Sequence, residues 1–283
     1  MTEQVERREI VEPAAKPGAP AGTVPVRSSP AKSWLDDPNV LGWGSVALVL
    51  AIWETGTYLS GVSPLYLPRP TQIVSALVTM FATGGLATDL SVTLYRIFAG
   101  FGIALVVGTL LGVWIATSAR VRAIADMFIA ALYPLPKITL IPLLIIWLGT
   151  GGPFMLTISA LGAIFPILIN TVLGVRQCDP GLVLAARDLG ATHSQIIRKV
   201  LIPSAIPAIF AGCRLGLGVS IILVVAAEMV VGKLGLGARL YLAGQILETE
   251  QVFAVLIVLA ALGIVVTKTQ DAIDIWLGRW RIT

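Results

Sequence analysis

Charge is scarce in this chain. Asp, Glu, Lys and Arg make up 13% of its 283 residues, about half of the ~25% usual in a soluble domain. Histidine occurs once, as His193, and cysteine twice, as Cys178 and Cys213. A single histidine leaves little room for histidine-based catalysis or a zinc site. The two cysteines have neither metal-ligand spacing nor the pattern of a disulfide framework. No G-x-x-x-x-G-K-S/T phosphate loop occurs, so the chain has no nucleotide cradle of that kind. There is no Ser/His/Asp or Cys/His set, and no pair of carboxylates shares one face. These absences read as a protein that is not an enzyme, with no catalytic residue, no metal site and no cofactor of its own. What is abundant is apolar: 56% of residues are hydrophobic and the mean hydropathy is +0.88. That composition belongs to a polytopic membrane protein. The pI near 9.3 would suit nucleic acid, but the basic residues form no single patch, and no nucleic-acid partner is expected.

The first 38 residues are a separate regime of alternating charge, alanine and proline without apolar periodicity. They read as a disordered tail. No apolar core follows their basic residues, so they are not a secretory signal. From residue 39 onward the pattern predicts an all-α membrane domain of about six spans. Span one covers about Leu41–Leu59, long enough for a ~30 Å hydrocarbon core, with Glu54 in its outer third. Residues 60–92 are mixed, and Thr71–Phe81 reads as an amphipathic surface helix. Span two covers about Leu94–Thr117. Its stripe of Ala104, Gly108 and Gly112, every four residues, lets another helix approach closely.

Span three, about Ala123–Leu148, contains Pro134, Pro136 and Pro142. Proline removes helix hydrogen bonds, so this span must be kinked or locally unwound. Lys137 lies within the break, near mid-depth. An intramembrane lysine is costly and marks a functional candidate on a solute path; pairing with a backbone carbonyl freed by the prolines is the other reading. Span four, about Pro153–Val175, is uncharged. Span five, about Ala205–Val231, carries a second small stripe of Gly212, Gly216 and Ser220. It also carries Arg214 and Glu228, about 21 Å apart along the axis and within roughly 40° of one face. They cannot pair with each other, and they face the bundle interior or a dimer seam. Both are candidates for the translocation path. Gly232, Gly235 and Gly237 follow a spanning helix and not a strand, so they read as a turn and not a phosphate cradle. Span six covers about Gln251–Thr267, and an amphipathic end, Asp271–Trp280, offers Trp276 and Trp280 as interfacial anchors.

The polar interruption between spans four and five, Asp179–Pro203, reads DPGLVLAARDLGATHSQIIRKVLIP. Asp179 caps a helix that begins at Pro180. Leu182, Ala185, Ala186 and Leu189 fall on one face, and Gly190 stops the helix. Thr192 and Gln195 have capping-box spacing for a second helix. Ile196, Ile197, Val200 and Leu201 make its apolar face, and Pro203 ends it. The expectation is a knob of two short helices bent at a glycine, with polar residues outward and His193 exposed. Such a knob is either a loop folded for solubility or a docking surface.

The run AARDLGA (Ala185, Ala186, Arg187, Asp188, Leu189, Gly190, Ala191), with Pro203 thirteen residues after Gly190, resembles the "EAA" coupling loop of ABC importer permeases. Leu184 stands where that family usually has glutamate. The run from Tyr133 to Gly151, YPLPKITLIPLLIIWLGTG, with the phrases CRLGLG and AAEMVVGKLGLG, resembles the subfamily for nitrate, taurine, alkanesulfonates and related small anions. The resemblance covers about residue 41 to the end. It implies an ATPase-coupling role for Ala185, Ala186, Arg187, Asp188, Gly190, Ala191 and Pro203. It implies two copies of a cytoplasmic ATPase holding ATP and Mg2+, a second copy of the permease, and a periplasmic or lipid-anchored binding protein. The implied mechanism is alternating access for a small anionic solute, in a bacterial inner membrane.

Orientation follows separately from counting Lys and Arg. With the amino terminus inside, fourteen fall on the inner side and three in outer loops, in agreement with the positive-inside rule. That places the knob in the cytoplasm. Three other readings stay open at this point: a permease for a non-anionic solute such as a pyrimidine-type vitamin precursor, a self-sufficient secondary transporter, and a membrane enzyme. No internal repeat of the kind many secondary transporters show is visible, and a membrane enzyme would need a catalytic constellation.

Overall fold

The structure, a computed structural model, describes residues 38–83 and 85–278. The expected amino-terminal tail lies outside them except for Pro38, and so do Trp280 and the side chain of Trp276. Every regular element among the described residues is helical. In chain order they are α1 (Pro38–Ser60), α2 (Pro70–Ala82), α3 (Gly85–Thr117), α4 (Ala119–Leu132), a 3-10 turn (Lys137–Leu140) and α5 (Ile141–Leu148). Then come α6 (Gly152–Arg176), α7 (Pro180–Asp188), α8 (His193–Ile196), a π turn (Ile197–Leu201), α9 (Ile202–Val231), α10 (Leu236–Gln245) and α11 (Thr249–Gly278). Among the described residues, five helices are long and apolar enough to cross a membrane, or six if α4 and α5 form one broken span. Residues 1–49 and 50–283 fall into separate units; the packing below is that of the second.

The core is built around α6, which packs along both α3 and α9. Small residues make this contact possible. A Cβ placed on Gly100 or Gly112 of α3 would fall 2.4 Å from Ser159 Cβ or 2.6 Å from Thr171 Cβ, both on α6. On the other side, a Cβ on Gly212 or Gly216 of α9 would fall 2.8 Å from the Pro166 carbonyl or 3.0 Å from that of Ala163. Both stripes read from the sequence therefore lie in helix–helix seams, and Gly100 extends the first by one turn. Hydroxyls cross the same seams: Ser159 donates to the Ile97 carbonyl at 3.0 Å and Ser220 to the Ser159 carbonyl at 2.7 Å.

Four boundaries differ from the sequence expectation. Span two begins at Gly85, because α3 runs nine residues further through Asp89 and Thr93, whose polar side chains are buried within the chain. Span three is two helices bent by 89° at Tyr133–Pro136. Within it, α5 buries Ile141 and Leu144 against Phe154, Met155, Ile158, Leu223 and Ala227. Pro203 does not end a helix. The path from His193 to Val231 is one continuous span-length helix, and the π turn just before Pro203 lets it continue past a residue with no N–H. The amphipathic end after Thr267 is likewise an extension of α11, not a separate element.

α2 matches the predicted amphipathic helix. Its first turn is held by Glu54, which accepts from the Thr71 N–H at 3.1 Å and from the Thr71 hydroxyl at 2.9 Å. The carboxylate thus meets the positive end of a helix. α2 and α11 join through a cluster of Ile73, Met80, Leu86, Leu236, Ala254, Val255 and Val258.

Candidate functional site

The knob folds by the local signals written in its sequence. Asp179 Oδ1 accepts from the Gly181 N–H at 2.8 Å. At the other end of α7, the Gly190 N–H donates to the Arg187 carbonyl and the Ala191 N–H to the Ala186 carbonyl. This Schellman closure puts Gly190 at φ +81°, a left-handed conformation that glycine adopts without a Cβ clash. Thr192 and Gln195 form the reciprocal box, with bonds of 2.8 and 3.4 Å. Ile196 is buried, while His193, Arg198 and Lys199 are exposed.

The expectation that only polar residues face outward is corrected here. Leu189 is 88% exposed, Leu184 59% and Leu182 55%, and Ala185, Arg187, Asp188 and Gly190 are exposed beside them. α7 is too short to cover both of its faces, and among the described residues nothing lies over the outer one. Leu182 and Leu189, seven residues apart, share one exposed side of the knob, and Leu184 lies round from them. Exposed apolar residues gathered on a rigid knob are the signature of an interaction surface.

Lys137 sits at the break between α4 and α5. Its ammonium donates to the Tyr133 carbonyl and lies 5.0 Å from the Tyr133 ring centroid and 5.3 Å from that of Phe165. Two aromatic faces and one carbonyl stabilise the charge in an apolar setting, and the side chain remains only half-buried.

The two charges of α9 do not meet each other, as their spacing required; each ties α9 to another helix. Glu228 has no exposed surface. It accepts from Arg96 at 2.7 Å, from the Thr93 hydroxyl at 2.9 and 3.0 Å, and from the Gly237 N–H at 3.0 Å. Around it the first N–H groups of α10 are satisfied in turn. Gly235 donates to Asp89 at 2.8 Å and Leu236 to Thr93 at 2.9 Å. Arg239 pairs with Asp89, and Arg96 also donates to the Leu234 carbonyl at 2.7 Å. The two carboxylates and two guanidiniums balance. The glycine cluster is indeed a turn: Gly235 has φ +117°, and a Cβ there would lie 2.4 Å from the Glu228 carboxyl. In this arrangement Glu228 offers no surface to a solute.

Arg214 is different. Its Nη2 donates to Asp274 at 3.0 Å and also to Asp271, both on α11. All three side chains are between 42% and 44% exposed. Removing one partner of a buried, fully bonded pair costs about 3–5 kcal/mol.

Sequence reading did not find Asp89, Thr93, Arg96 and Arg239, or Asp271 and Asp274 as partners. The signal was present: Asp89, Thr93 and Arg96 stand at i, i+4 and i+7 on one helical face, which is an unusual stripe for a membrane span unless it answers a buried charge elsewhere.

Five or six apolar spans packed through small residues, with a folded knob presented between two of them, define a multi-pass membrane transport component. The chain belongs to the family of binding-protein-dependent transport system inner membrane components, which matches residues 108–279. It is an ABC importer permease subunit. The taurine transport system permease protein TauC of Escherichia coli is 32% identical over 85% of this chain and 89% of its own length. A putative aliphatic sulfonates transport permease protein SsuC of Bacillus subtilis is 33% identical over 83% of this chain and 85% of its own. The riboflavin transport system permease protein RibX of Chloroflexus aurantiacus is 30% identical over 83% and 88%. Among solved structures, a chain of the MetNI methionine ABC transporter in inward-facing conformations is 27% identical, with a TM-score of 0.56, over 69% of this chain and 95% of that one. The all-helical fold is that of type I ABC importer permeases.

Proposed function

We propose that this permease carries taurine or a related alkanesulfonate inward, driven by a separate ATPase that docks on the knob. The observation that carries the docking half is the leucine-bearing outer face of α7, fixed by caps at both ends and joined to the span-length α9. The solute half rests on the taurine and sulfonate permeases among the relatives. A periplasmic or lipid-anchored binding protein delivers the solute. Two copies of the permease face each other across the exposed apolar side of α4 and α5, where Met127, Phe128, Ile146 and Trp147 are uncovered. Two copies of the ATPase bind from the cytoplasm, hold ATP and Mg2+, and meet Ala185, Ala186, Arg187, Asp188, Gly190 and Ala191; Pro203 lies where the knob joins α9. The amino terminus is cytoplasmic, as the lysine and arginine bias supports.

Alternating access requires contacts that differ between two states, and the knob supplies the one that ATP can change. Of the three charges read from the sequence as path candidates, Lys137 is the one we place on the solute path. Among the described residues its ammonium donates to one acceptor, the Tyr133 carbonyl, and a sulfonate oxygen could take a further N–H. Arg214 and Glu228 act on the path through the helices they tie together. The riboflavin permease among the relatives favours a second reading, a larger uncharged solute. Vesicles carrying the whole transporter separate the two. ATP-dependent uptake of labelled taurine that unlabelled alkanesulfonates suppress and riboflavin does not supports the anion. Riboflavin uptake with no taurine uptake reverses the assignment.

A further inference from the structure

We infer that α9 turns about its Glu228 end, and that Arg214 with Asp271 and Asp274 is the separable tie that positions the knob-side half of α11. This rests on the proposed reading that an ATPase moves the knob. The knob's second helix, the π turn and α9 are one helix over 39 residues, His193–Val231, roughly 58 Å long at ~1.5 Å per residue. A displacement at the knob is therefore carried up α9 to both charged ties.

The ties are not equal. The far one is enclosed: Glu228 has no exposure, Thr93 none and Asp89 3%, and bonds to α3 and to the start of α10 converge on it. The near one hangs on a single guanidinium nitrogen, and the chain leaves 42–44% of each of its three side chains uncovered. Under load from the knob, the near tie opens first and the far one stays closed.

There is also room for the motion. A cavity of about 790 Å³ lies between α3, α9 and α11 next to Arg214, lined by Phe98, Phe101, Phe210, Cys213, Leu217 and Val265 among others. The knob-side half of α11 is thus held to α9 chiefly by the Arg214 fork and by Leu262 and Val266, which pack with Leu217 and Val224. Arg214, Asp271 and Asp274 are positioning residues and need not touch the solute.

Two native thiols make this measurable. Cys213, 8% exposed, lines the cavity beside Arg214; Cys178, 9% exposed, sits at the base of the knob. The experiment follows N-ethylmaleimide labelling of each cysteine by peptide mass spectrometry, in membranes holding the whole transporter. The double variant Asp271→Asn with Asp274→Asn should speed Cys213 labelling about three- to five-fold and leave Cys178 unchanged. Arg214→Lys, which keeps a cation, should lie between it and wild type. Adding Mg-ATP should speed Cys213 labelling in wild type and change little in the double variant, where the tie is already open. Unchanged Cys213 labelling in the double variant overturns the inference, and so does equal acceleration of both cysteines, which reports global loosening. ATP-insensitive labelling in vesicles that still accumulate solute on ATP also overturns it. Loss of ATP-driven uptake in wild type would instead strike at the proposed function itself.

Discussion

At the scale of single residues, what decides a charge's importance is how completely the chain encloses it and how many bonds it makes there. Glu228 and Arg214 lie on one helix and both make ion pairs, yet their energetics differ by several-fold. Glu228→Ala strands the Thr93 hydroxyl and the Gly237 N–H without an acceptor and takes the counter-charge from Arg96, which keeps, among the described residues, only the Leu234 carbonyl, and it should destabilise the chain by about 3–5 kcal/mol. Arg214→Gln, which removes the bonds of a single guanidinium nitrogen, should cost less. Thermal unfolding of the two purified variants in mild detergent checks this, with a large drop in Tm for the first and a small one for the second. Gly235→Ala belongs with the first group. Its φ of +117° and its 2.4 Å approach to the Glu228 carboxyl leave no space for a methyl group, so a clear loss of Tm is expected there too. The sequence marked Glu228 and Arg214 as notable because charge inside a span is costly. It did not reveal their partners, which stand 132 and 57 residues away; periodicity reports which face a residue occupies and not which helix that face meets.

At the scale of elements, the features legible beforehand were those set by neighbours in the chain. The caps of the knob, the break in span three and the two glycine stripes all come from contacts within a few residues or from repeats along one helix. Each appears in the structure. The start of α3 was not legible because a stripe of Asp89, Thr93 and Arg96 lowers local hydropathy, and burial against α9 and α10 compensates for it only once the bundle is assembled. Pro203 misled for a similar reason: proline ends an isolated α-helix, but a wider turn ahead of it lets the helix go on. Two substitutions test the elements. Gly112→Leu forces a side chain into the α3–α6 seam, where even a Cβ would lie 2.6 Å from Thr171. It should cost about 1–3 kcal/mol or more as overpacking, read as lower yield and a lower Tm. Gly190→Asn tolerates the left-handed turn and should leave the knob intact, while Gly190→Pro cannot adopt φ +81°. Limited proteolysis should cut the proline variant within residues 179–203 and spare the asparagine variant.

At the scale of the whole molecule, one long helix, His193–Val231, runs through the permease. The knob stands at one end of α9 and the buried Glu228 cluster at the other, with a weaker tie to α11 between them. Membrane class and family were legible from composition, the knob and the run around Lys137. The outward leucines of α7 were not, because helical spacing shows that Leu182 and Leu189 share a face without showing that the bundle leaves it bare. A separate ATPase was expected from the family resemblance, and that bare face is where we propose it docks, so it is the place to test the central claim. The measurement is co-purification of an ATPase subunit with the tagged chain from its own membranes, for wild type and for Leu189→Asp, with Tm confirming that both are folded. The account predicts a stoichiometric ATPase partner with wild type, and at least a tenfold loss of it with Leu189→Asp at unchanged Tm, since a buried apolar contact exchanged for a charge costs more than about 1.4 kcal/mol. Full retention of the ATPase by the folded Leu189→Asp variant would contradict docking on this face.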